Sequence, residues 1–447
     1  MRRIYSDYAY SQGPIAGCHW AGAVPDGTLK YAPISGQNRA DTVVIGGGFT
    51  GLNAALHLAE AGVDVMVLDA EFPGFGASGR NGGFCCLGGS RAPDALLRRF
   101  GDPRDVRRAE MAAVDHVAAL LERLGIDADR QDHGELIVAH SAAMARELPQ
   151  LAEDFARDYD TVPEVIAQAN MTSRGMGGRW HGAVSVPIGF SLHPRKYLQG
   201  LLGAVQAAGA QVFGHSAVTG IEAVNGGVRV VTQNAEVIAD RVILATNGYT
   251  SENVPAWIRA RTLPAQSSVI ATRQMSDAEL AEQGWTTRQM AYEERRLLHY
   301  FHLTPDNRMV FGQRGGLIST PANEARISAR VRRDFAQVFP HWTHVETPHS
   351  WSGMVCLTAS LTPFCGPVPG IPGAFAAFGY HGNGVAMGSY LGTMLADLSR
   401  GKESRSILPA AFRREPPRFP LGALRRAWLA AEYAWARMTD RADYAAS

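Results

Sequence analysis

Three glycines and one aspartate have the residue types and the spacing needed to bind a dinucleotide. Gly46, Gly48 and Gly51 follow the pattern G-x-G-x-x-G, and Asp69 lies 18 residues beyond the last of them. The first glycine permits a sharp turn, the second leaves room for a pyrophosphate, and the third lets a helix pack closely on a sheet. A carboxylate at this distance can accept hydrogen bonds from ribose hydroxyls. The neighbouring residues that we also predict to contact the dinucleotide are Phe49, Thr50 and Ala70.

The elements around this pattern are those that a dinucleotide-binding turn requires. An apolar run at 42–45 predicts a strand, and apolar residues at helical spacing over 52–59 predict a helix that ends at Gly62. A second apolar run at 63–68 predicts another strand. The N-terminus of the intervening helix offers unpaired N–H groups and a positive dipole end to phosphates. The segment therefore predicts a strand–turn–helix–strand unit of the Rossmann type.

A second glycine-rich segment, 74–83, favours FAD over NAD as the dinucleotide. It holds five glycines within ten residues, which suits a backbone that runs against a flat ligand. A dehydrogenase that used only NAD would leave this segment unexplained. The predicted cofactor contacts here are Gly76, Ala77, Ser78, Gly79, Arg80, Asn81, Gly82 and Gly83.

The composition sets limits on the class of protein. The chain has 447 residues, a formal net charge of +1, 46% hydrophobic residues and 19% charged residues. These values are typical of a globular protein with room for two domains, and they lack the basic excess of a nucleic-acid-binding protein. No apolar run is long enough to span a bilayer. The five cysteines lack zinc-type spacing, so we expect reduced thiols, a cytoplasmic location and no metal site.

The order of the predicted elements indicates an α/β fold with a discontinuous, Rossmann-type FAD-binding domain. Alternating apolar runs, such as 298–304 and 308–313, predict a separate substrate domain with a mainly antiparallel sheet and flanking helices. The predicted divisions are a lead-in and first FAD-binding part at 1–97, substrate-domain parts at 98–180 and 263–350, further FAD-binding parts at 181–262 and 351–402, and a helical tail at 403–447.

Three later motifs complete a pattern that spans most of residues 40–400. They are His193-Pro194-Arg195-Lys196-Tyr197, Ala245-Thr246-Asn247-Gly248-Tyr249 and Gly379-Tyr380-His381-Gly382-Asn383-Gly384-Val385. Together with the two glycine-rich segments, they occur in the order found in one group of flavoproteins. The chain resembles flavin-dependent amine oxidoreductases of the D-amino-acid oxidase superfamily, and it is most similar to their γ-glutamylputrescine oxidase-like branch.

This resemblance implies non-covalent FAD and further contacts with it. Val218 would meet the adenine through its backbone, and Gly382, Asn383 and Gly384 would begin a helix aimed at the flavin. A covalent flavin bond at Cys356 is the alternative, because some relatives of the sarcosine oxidase branch attach flavin through a cysteine in a comparable segment. The remaining residues that the resemblance places at the cofactor are Thr246, Asn247, Gly248, Gly379 and Val385.

One motif departs from the usual pattern and supplies candidate catalytic residues. The branch typically has Gly-Tyr-Ser-Gly-His-Gly where this chain has histidine at position 381 and an amide at position 383. His381 is therefore a candidate for tuning the reaction with oxygen, and a histidine that is merely satisfied by its loop is the alternative. Asn383 stands where histidine is usual. Arg80 and Asn81 are further candidates beside the flavin.

The predicted substrate sheet offers three more candidates. Arg314 follows an apolar run and could pair with a substrate carboxylate, while an exposed charge at a strand end is the alternative. Tyr300 and His302 share one face of a predicted strand and could line the pocket.

The resemblance implies oxidation of a primary or secondary amine or an amino acid, by hydride transfer from the α-carbon to flavin N5. The imine would then hydrolyse, and dioxygen would reoxidise the flavin to give hydrogen peroxide. One alternative is a dehydrogenase that passes electrons to a quinone or protein partner, and another is a catalytically silent flavin-binding subunit. The expected partners are a small-molecule amine and O2 or another acceptor, with no nucleic acid.

A stripe of apolar residues over 421–438, flanked by arginines, predicts an amphipathic helix near the C-terminus. Contact with a membrane surface is one interpretation of such a helix. Docking on the protein's own surface is the interpretation that we prefer.

Overall fold

The computed structural model describes residues 2–295, 297–402 and 406–445, with side chains described as far as residue 435. Strands in these ranges form two large sheets and one short two-stranded pair. Residues 403–405 and 446–447 of the predicted tail, and the side chains of 436–438 in the predicted apolar stripe, lie outside the described part of the chain.

The first sheet contains the predicted dinucleotide-binding strands. In chain order its strands are β1 (Gly36–Ile45), β2 (Val65–Leu68), β8 (Gln211–Phe213), β9 (Gly220–Val224), β10 (Gly227–Val231), β11 (Ala235–Leu244), β17 (Phe364–Pro367) and β18 (Ala374–Phe378). Their spatial order is β17-β18-β11-β1-β2-β8, and β10 and β9 extend from β11. The pairs β11–β1, β1–β2, β2–β8 and β11–β18 are parallel, as the Rossmann interpretation requires.

Both faces of this sheet are buried, which explains the continuous apolar runs in β1 and β2. Val44 and Val67 belong to a core that includes the helices, whereas Val43 and Met66 belong to a separate apolar cluster on the opposite face. A parallel sheet covered on both faces requires apolar residues at successive positions rather than at alternate ones.

The second sheet is mainly antiparallel. Its strands are β4 (Glu135–Val138), β5 (Glu164–Ala167), β6 (Gly182–Val186), β12 (Leu263–Ala271), β13 (Met290–Glu293), β14 (His299–Leu303), β15 (Met309–Arg314) and β16 (His349–Leu357). Their order is β16-β12-β15-β14-β13-β4-β6-β5, and β13–β4 is the parallel pair. One face packs on an aromatic core with Trp180, Trp285 and Trp342. The short strands β3 (Phe84–Cys85) and β7 (Phe190–Ser191) pair with each other.

The helices fall into two groups. Those that share the core on one face of the first sheet are α1 (Phe49–Glu60) and α10 (Ala386–Ser399), which contact its strands, and α3 (Pro103–Leu124) and α7 (Pro194–Ala207), which pack on α10 and α1 respectively. The others are α2 (Asp94–Leu97), α4 (Ala142–Ala145), α5 (Leu148–Tyr159), α6 (Gln168–Met171), α8 (Asp277–Gln283), α9 (Pro321–Val338) and α11 (Arg425–Ala445). None of the helices in the described ranges combines the length and the hydrophobicity that crossing a bilayer requires.

Sheet membership differs from the predicted divisions of the chain at two places. β6 and β16 both belong to the second sheet, although 181–262 and 351–402 were assigned to the FAD-binding domain. Both strands are apolar and adjoin segments of the first sheet in the sequence, so hydrophobicity alone does not show which sheet they join. Backbone pairing decides it, because β16 pairs with β12 over nine residues and β6 pairs with β4 and β5.

The C-terminal helix α11 is docked along one side and exposed along another. Leu429 and Tyr433 are buried against Leu263 and Phe419, and the buried Arg425 pairs with Glu252 at 2.5 Å. The apolar side chains that remain exposed nearby are Leu421, Leu424, Trp428 and Trp435.

Candidate active site

A cavity of about 480 Å³ lies between the carboxyl end of the first sheet and the inner face of the second. Its walls come from the turn after β1, from the glycine-rich loop 74–83, from the strands β12, β14 and β16, and from residues 380–385 before α10. Ligands of open parallel sheets bind at this end of the strands.

The glycines of the first motif allow a close approach of β1, α1 and the cavity wall. Gly46 has φ +105°, a conformation that favours glycine, and a Cβ on it would lie 2.8 Å from the carbonyl oxygen of Ala245. A Cβ on Gly51 would lie 1.9 Å from the carbonyl oxygen of Gly46, and one on Gly48 would lie 2.8 Å from Ser78 Oγ. Gly48 is the N-cap of α1 and provides no side-chain cap; the N–H of Phe49 donates to Ser78 Oγ at 2.9 Å, and this end of the helix lies in the cavity wall, where its positive dipole end faces a ligand.

Asp69 lies at the cavity wall with its carboxylate already oriented by the backbone. It accepts hydrogen bonds from the N–H groups of Gly47 at 2.8 Å and Glu71 at 3.0 Å. Burial raises the pKa of Asp69 to about 6, although these two donors act in the opposite direction. Val218 lines the same part of the cavity. Donation from ribose hydroxyls would favour the ionised form of this carboxylate further.

The side chains of Arg80 and Asn81 lie in the cavity wall with their polar groups already hydrogen-bonded. The buried guanidinium of Arg80 donates to the carbonyl oxygens of Phe75 and Ser352. The amide of Asn81 donates to the carbonyl of Ser78 at 2.9 Å and accepts from the N–H of Gly83 at 2.8 Å. These bonds hold the loop in place, and a catalytic role for either residue stays a prediction.

Four further side chains hold the carbonyl oxygens of this loop from outside. Trp20 Nε1 donates to Asn81 and Trp351 Nε1 donates to Arg80, each at 2.8 Å. Arg195 Nε donates to Gly79 at 3.0 Å, and His302 Nε2 contacts the carbonyl of Gly82 at 2.8 Å. Sequence reasoning did not find the contacts of Trp20, Trp351 and Arg195, because each lies 61 or more positions from its partner.

The structure divides the predicted cofactor residues into two groups. Those that line the cavity are Gly46, Gly48, Phe49, Thr50, Asp69, Ala70, Gly76, Ala77, Ser78, Arg80, Asn81, Gly82, Val218, Thr246, Asn247, Gly382, Asn383, Gly384 and Val385. Those that lie behind the wall are Gly51, Gly79, Gly83, Gly248 and Gly379. A Cβ on Gly79 or Gly83 would lie 2.3 or 2.2 Å from a backbone oxygen. Gly51, Gly79 and Gly83 thus let backbone segments approach each other, and direct contact of these five glycines with the cofactor stays a prediction.

Tyr300 and His302 share one face of β14, but only Tyr300 lines the cavity. The Tyr300 hydroxyl is 2.9 Å from Ser267 Oγ, and its ring packs against Gly82. His302 is buried behind the glycine-rich loop, where burial lowers its pKa. The prediction that His302 lines the pocket is therefore wrong, because the loop lies between this side chain and the cavity.

Arg314 is the last residue of β15 and places a cation in the cavity wall. Its Nη2 donates to the carbonyl oxygen of His381 at 3.0 Å. Burial and the neighbouring Arg91 lower the pKa of Arg314 to about 10, so it remains protonated at neutral pH. No carboxylate pairs with it within the described ranges. The arrangement leaves this guanidinium available to an anionic ligand.

His381 lines the cavity as a neutral imidazole. It is 4% exposed and has φ +52°, and burial together with Arg314 lowers its pKa to about 3. Its Nε2 lies 3.1 Å from Oγ1 of Thr358, which itself donates to the carbonyl of Thr362 at 2.7 Å. The hydroxyl must therefore accept from Nε2–H, which leaves Nδ1 of His381 as a hydrogen-bond acceptor.

Asn383 has one polar atom whose partner is missing among the described residues. Its Nδ2 donates to the carbonyl of Cys86 at 2.6 Å, whereas its buried Oδ1 accepts nothing there. A buried acceptor in a cavity wall fits a ligand that carries an N–H donor, such as an isoalloxazine ring.

Cys356 also lies in the wall, where burial raises the pKa of its thiol to about 12. The protonated thiol is a poor nucleophile, which agrees with a non-covalent cofactor.

The cavity wall also contains polar residues that the sequence did not indicate. Among them are Arg91, Tyr159, Tyr292 and Glu294. They come from the loop after β3, from the end of α5 and from β13 and its following turn. They share no motif, so nothing in their spacing pointed to a common site.

The parallel sheet, the glycine turn and the cavity define a dinucleotide-dependent oxidoreductase. Residues 41–398 match the family model described as FAD dependent oxidoreductase. The chain belongs to this family, the D-amino-acid oxidase superfamily, and FAD is its cofactor.

Two relatives and one solved structure are similar over most of the chain. The probable oxidoreductase OrdL of Rhizobium meliloti is 31% identical over 437 residues, which cover 96% of this chain and 99% of the relative. The γ-glutamylputrescine oxidoreductase of Escherichia coli is 32% identical over 382 residues, covering 84% and 88%. The crystal structure of glycine oxidase from Geobacillus kaustophilus has a TM-score of 0.70 at 20% identity, covering 85% of this chain and 99% of that one.

Proposed function

We propose that this protein oxidises a primary or secondary amine or an amino acid, with dioxygen as the electron acceptor. The α-carbon of the neutral amine loses its hydrogen as a hydride, the nitrogen lone pair forms the C=N bond, and water hydrolyses the imine. The sum is amine, O2 and water giving a carbonyl compound, ammonia or a smaller amine, and hydrogen peroxide. Bound FAD supplies the two-electron carrier for this reaction.

The cation of Arg314, half-buried in the cavity wall, is the observation that supports an amino-acid or other carboxylate-bearing substrate. A partly desolvated guanidinium without a carboxylate partner has a desolvation cost, which a carboxylate ligand would offset with bidentate hydrogen bonds. Its position beside His381 would bring the substrate close to the residues that precede α10. The open N-terminus of α10 also favours negative charge that develops at this end of the cavity.

The neutral state of His381 supports a role in orienting the substrate. The Nδ1 atom can accept a hydrogen bond from an amine N–H group, because the other ring nitrogen is held by Thr358. Nearby positive charge then comes from Arg314 and Arg91 rather than from an imidazolium.

Anaerobic bleaching of the flavin tests the proposal. The purified holoenzyme is mixed, without oxygen, with primary amines, N-methyl amino acids, D-amino acids and γ-glutamylputrescine. The last compound is included because the relative from Escherichia coli is named after it. We expect at least one of these compounds to bleach the visible flavin absorbance, and readmitted oxygen to restore it with stoichiometric peroxide. A holoenzyme that stays yellow with every class of amine would favour a flavin-binding subunit without turnover.

A dehydrogenase is the second candidate function. The exposed apolar side chains Leu424, Trp428 and Trp435 offer a surface on which an electron-accepting partner or a membrane could dock. Peroxide formation is compared with the reduction of a quinone analogue under identical substrate saturation. Fast reduction of the quinone analogue with negligible peroxide formation would identify a dehydrogenase. Fast peroxide formation with slow reduction of the quinone analogue would identify an oxidase.

We further propose a cytoplasmic location. All five cysteines are free thiols, and four of them are buried. A reducing compartment maintains such thiols. Fractionation of cells that express the tagged chain, with a periplasmic and a membrane marker, tests this proposal.

A further inference from the structure

Apolar side chains are concentrated on the solvent-exposed side of the segment 421–435, which includes the start of α11. Leu421, Leu424, Trp428 and Trp435 are 63%, 69%, 45% and 48% exposed. They are four of the nine large apolar side chains that are exposed in the described part of the chain. We call these four residues the outer stripe. A surface helix normally turns polar residues to the solvent, and a contiguous exposed apolar patch marks an interaction site.

The geometry of α11 separates the outer stripe from the side that docks on the protein. Leu429 and Tyr433, four residues apart, are buried beneath the helix. Trp428 and Trp435, seven residues apart, share the opposite face. The other exposed residues over 427–435 are Ala427, Ala431 and Ala434. The buried side thus fixes the helix, and the side presented to solvent over these nine residues has no fully exposed charge.

Two arginines border the outer stripe. The ring of Phe419 lies 6.4 Å from that of Trp428, and the N–H of Phe419 donates to the carbonyl oxygen of Ala260 at 2.7 Å. Arg418 and Arg259 immediately precede these two bonded residues, so both lie beside the stripe. Both are exposed, and in the described ranges no ion pair joins either of them to an acid.

The charge of this region is positive. The segment 406–435 contains five arginines and two glutamates. One of these acids, Glu415, pairs with Arg261 from outside the segment. Glu252, which lies against the start of α11, pairs with the buried Arg425. The positive charge of Arg259 and Arg418 is therefore left to face the solvent.

The surface of a bilayer that contains anionic lipids matches both properties. Tryptophan is enriched at the membrane–water interface, and an interfacial helix buries its leucine and tryptophan side chains at the boundary between headgroups and acyl chains. Arginines beside such a helix are attracted to anionic headgroups. A stable interface with a second protein takes about 20–30 residues on each side, which is far more than the outer stripe and its two arginines provide.

We propose that the outer stripe, together with Arg259 and Arg418, binds the surface of an anionic bilayer, with α11 lying along that surface. The protein would then be a peripheral membrane protein that does not cross the bilayer. The cytoplasmic leaflet carries anionic lipids, so this binding is compatible with the proposed location. The inference does not depend on the proposed amine oxidation, because binding to lipid requires no turnover.

Co-sedimentation of the holoenzyme with lipid vesicles tests the proposal. One set of vesicles contains phosphatidylethanolamine and phosphatidylglycerol, and the other contains phosphatidylcholine alone. Wild-type protein is expected to sediment with the anionic vesicles, and added salt should weaken this binding. The ratio of bound to free protein should fall at least ~10-fold in Leu424→Ser/Trp428→Ser, because apolar burial is lost. It should fall about 10- to 30-fold in Arg259→Gln/Arg418→Gln, because attraction to the headgroups is lost.

Two matched double variants are the controls. Val162→Ser/Val165→Ser removes two exposed apolar side chains elsewhere, and Arg123→Gln/Arg174→Gln removes the same net charge from other exposed positions. Both should bind the anionic vesicles as wild type does. Flavin content and the unfolding midpoint show that each variant is folded.

Three outcomes would overturn the inference. They are wild-type protein that stays in the supernatant with anionic vesicles, wild-type protein that binds phosphatidylcholine vesicles equally well, and folded stripe or arginine variants that bind as wild type does. Sedimentation velocity without lipid adds a further check. A dimer that Leu424→Ser/Trp428→Ser abolishes, in a protein that does not bind vesicles, would assign the stripe to a second copy instead. An enzyme that oxidises no amine would refute the proposed function and leave this result unchanged.

Discussion

At the scale of single residues, an unpaired cation in the cavity wall distinguishes this site from an ordinary core. Arg314 is half-buried, and no carboxylate of the described ranges pairs with it. A partly desolvated charge without a partner destabilises the folded chain, so a ligand that completes the pair gains more than it would at a surface. Arg314 therefore carries the proposal about a substrate carboxylate, whereas the glycines carry those about the cofactor.

Replacing Arg314 tests its proposed role as a carboxylate anchor. Arg314→Gln is expected to lower kcat/KM for carboxylate-bearing substrates by about 10- to 100-fold, because a charge-assisted pair is lost. Substrates without a carboxylate should be affected much less. Steady-state peroxide assays on both kinds of substrate check this. Arg273→Gln, which removes an ion pair with Glu279 outside the cavity wall, is the matched control and should change neither.

Cys356 provides a test of how the flavin is held. Because the thiol is protonated at neutral pH, we expect acid precipitation of wild-type protein to release all of the flavin into the supernatant, unmodified. Cys356→Ser should bind the same amount of flavin with the same visible spectrum. Yellow colour that stays in the wild-type pellet, and leaves the pellet in the serine variant, would establish a covalent bond instead.

At the scale of elements, the contact between α1 and β1 decides whether the cofactor can be bound. Gly51 lies on α1 where the helix meets the turn after β1, and any side chain would collide with the carbonyl oxygen of Gly46. Helix position and diphosphate binding are thereby coupled, because the N–H groups at the start of α1 move with the helix.

Gly51→Ala is therefore expected to weaken FAD binding by roughly tenfold or more, since overpacking at such contacts costs about 1–3 kcal/mol. The ratio of flavin absorbance to protein, and fluorescence titration of apoprotein with FAD, measure the effect. Gly203→Ala on α7 is the control, since a Cβ there meets no atom within 4 Å. It should retain its flavin and be slightly stabilised, because alanine favours helix over glycine. Full FAD affinity in Gly51→Ala would contradict the assigned role.

The loop 74–83 is the second element that controls the site. Its carbonyl groups are held by side chains from the lead-in, from α7, from β14 and from β16. Two of these elements are strands of the second sheet, α7 packs on α1, and the lead-in is the N-terminal segment, so the loop acts as a common contact between them. The affinity for a cofactor bound against this loop would therefore depend on how all of these elements pack.

At the scale of the whole molecule, two cores meet at the cavity, and a buried ion network stabilises the second. His299 lies between Glu293 and Asp334 and stacks on Phe311. Both acids raise the pKa of His299 to about 9, against the effect of burial. A histidine whose pKa is raised by folding stabilises the protein fully below its unfolded pKa of about 6.5, and this contribution is lost as the pH rises through about 9.

His299→Gln tests this linkage. The free energy of unfolding of the variant should fall furthest below that of wild type near pH 6, and the difference should shrink as the pH approaches and passes 9. Chemical denaturation followed by fluorescence, at several pH values and saturating FAD, gives the comparison. A difference that is constant from pH 6 to pH 10 would show that the histidine stabilises the fold by packing alone.

Residue patterns along the chain were enough to predict the cofactor, the family and the class of fold. Those conclusions rest on local patterns, since the turn, helix and strand that bind a dinucleotide are contiguous in 42–69 and require particular residues at particular positions. The apolar runs likewise predicted a parallel and a mainly antiparallel sheet, both of which are present.

The side chains that face the cavity, and the sheet that each strand joins, became evident from the folded chain alone. Arg80, Asn81 and His302 have the chemistry of catalytic groups, yet backbone carbonyls from distant or neighbouring segments take their polar atoms. Tyr292 and Glu294 show the opposite case, because residues that belong to no motif form part of the cavity wall. The physical reason is that burial and hydrogen-bond partners arise from segments far apart in the chain, and residue type and spacing do not encode such contacts locally.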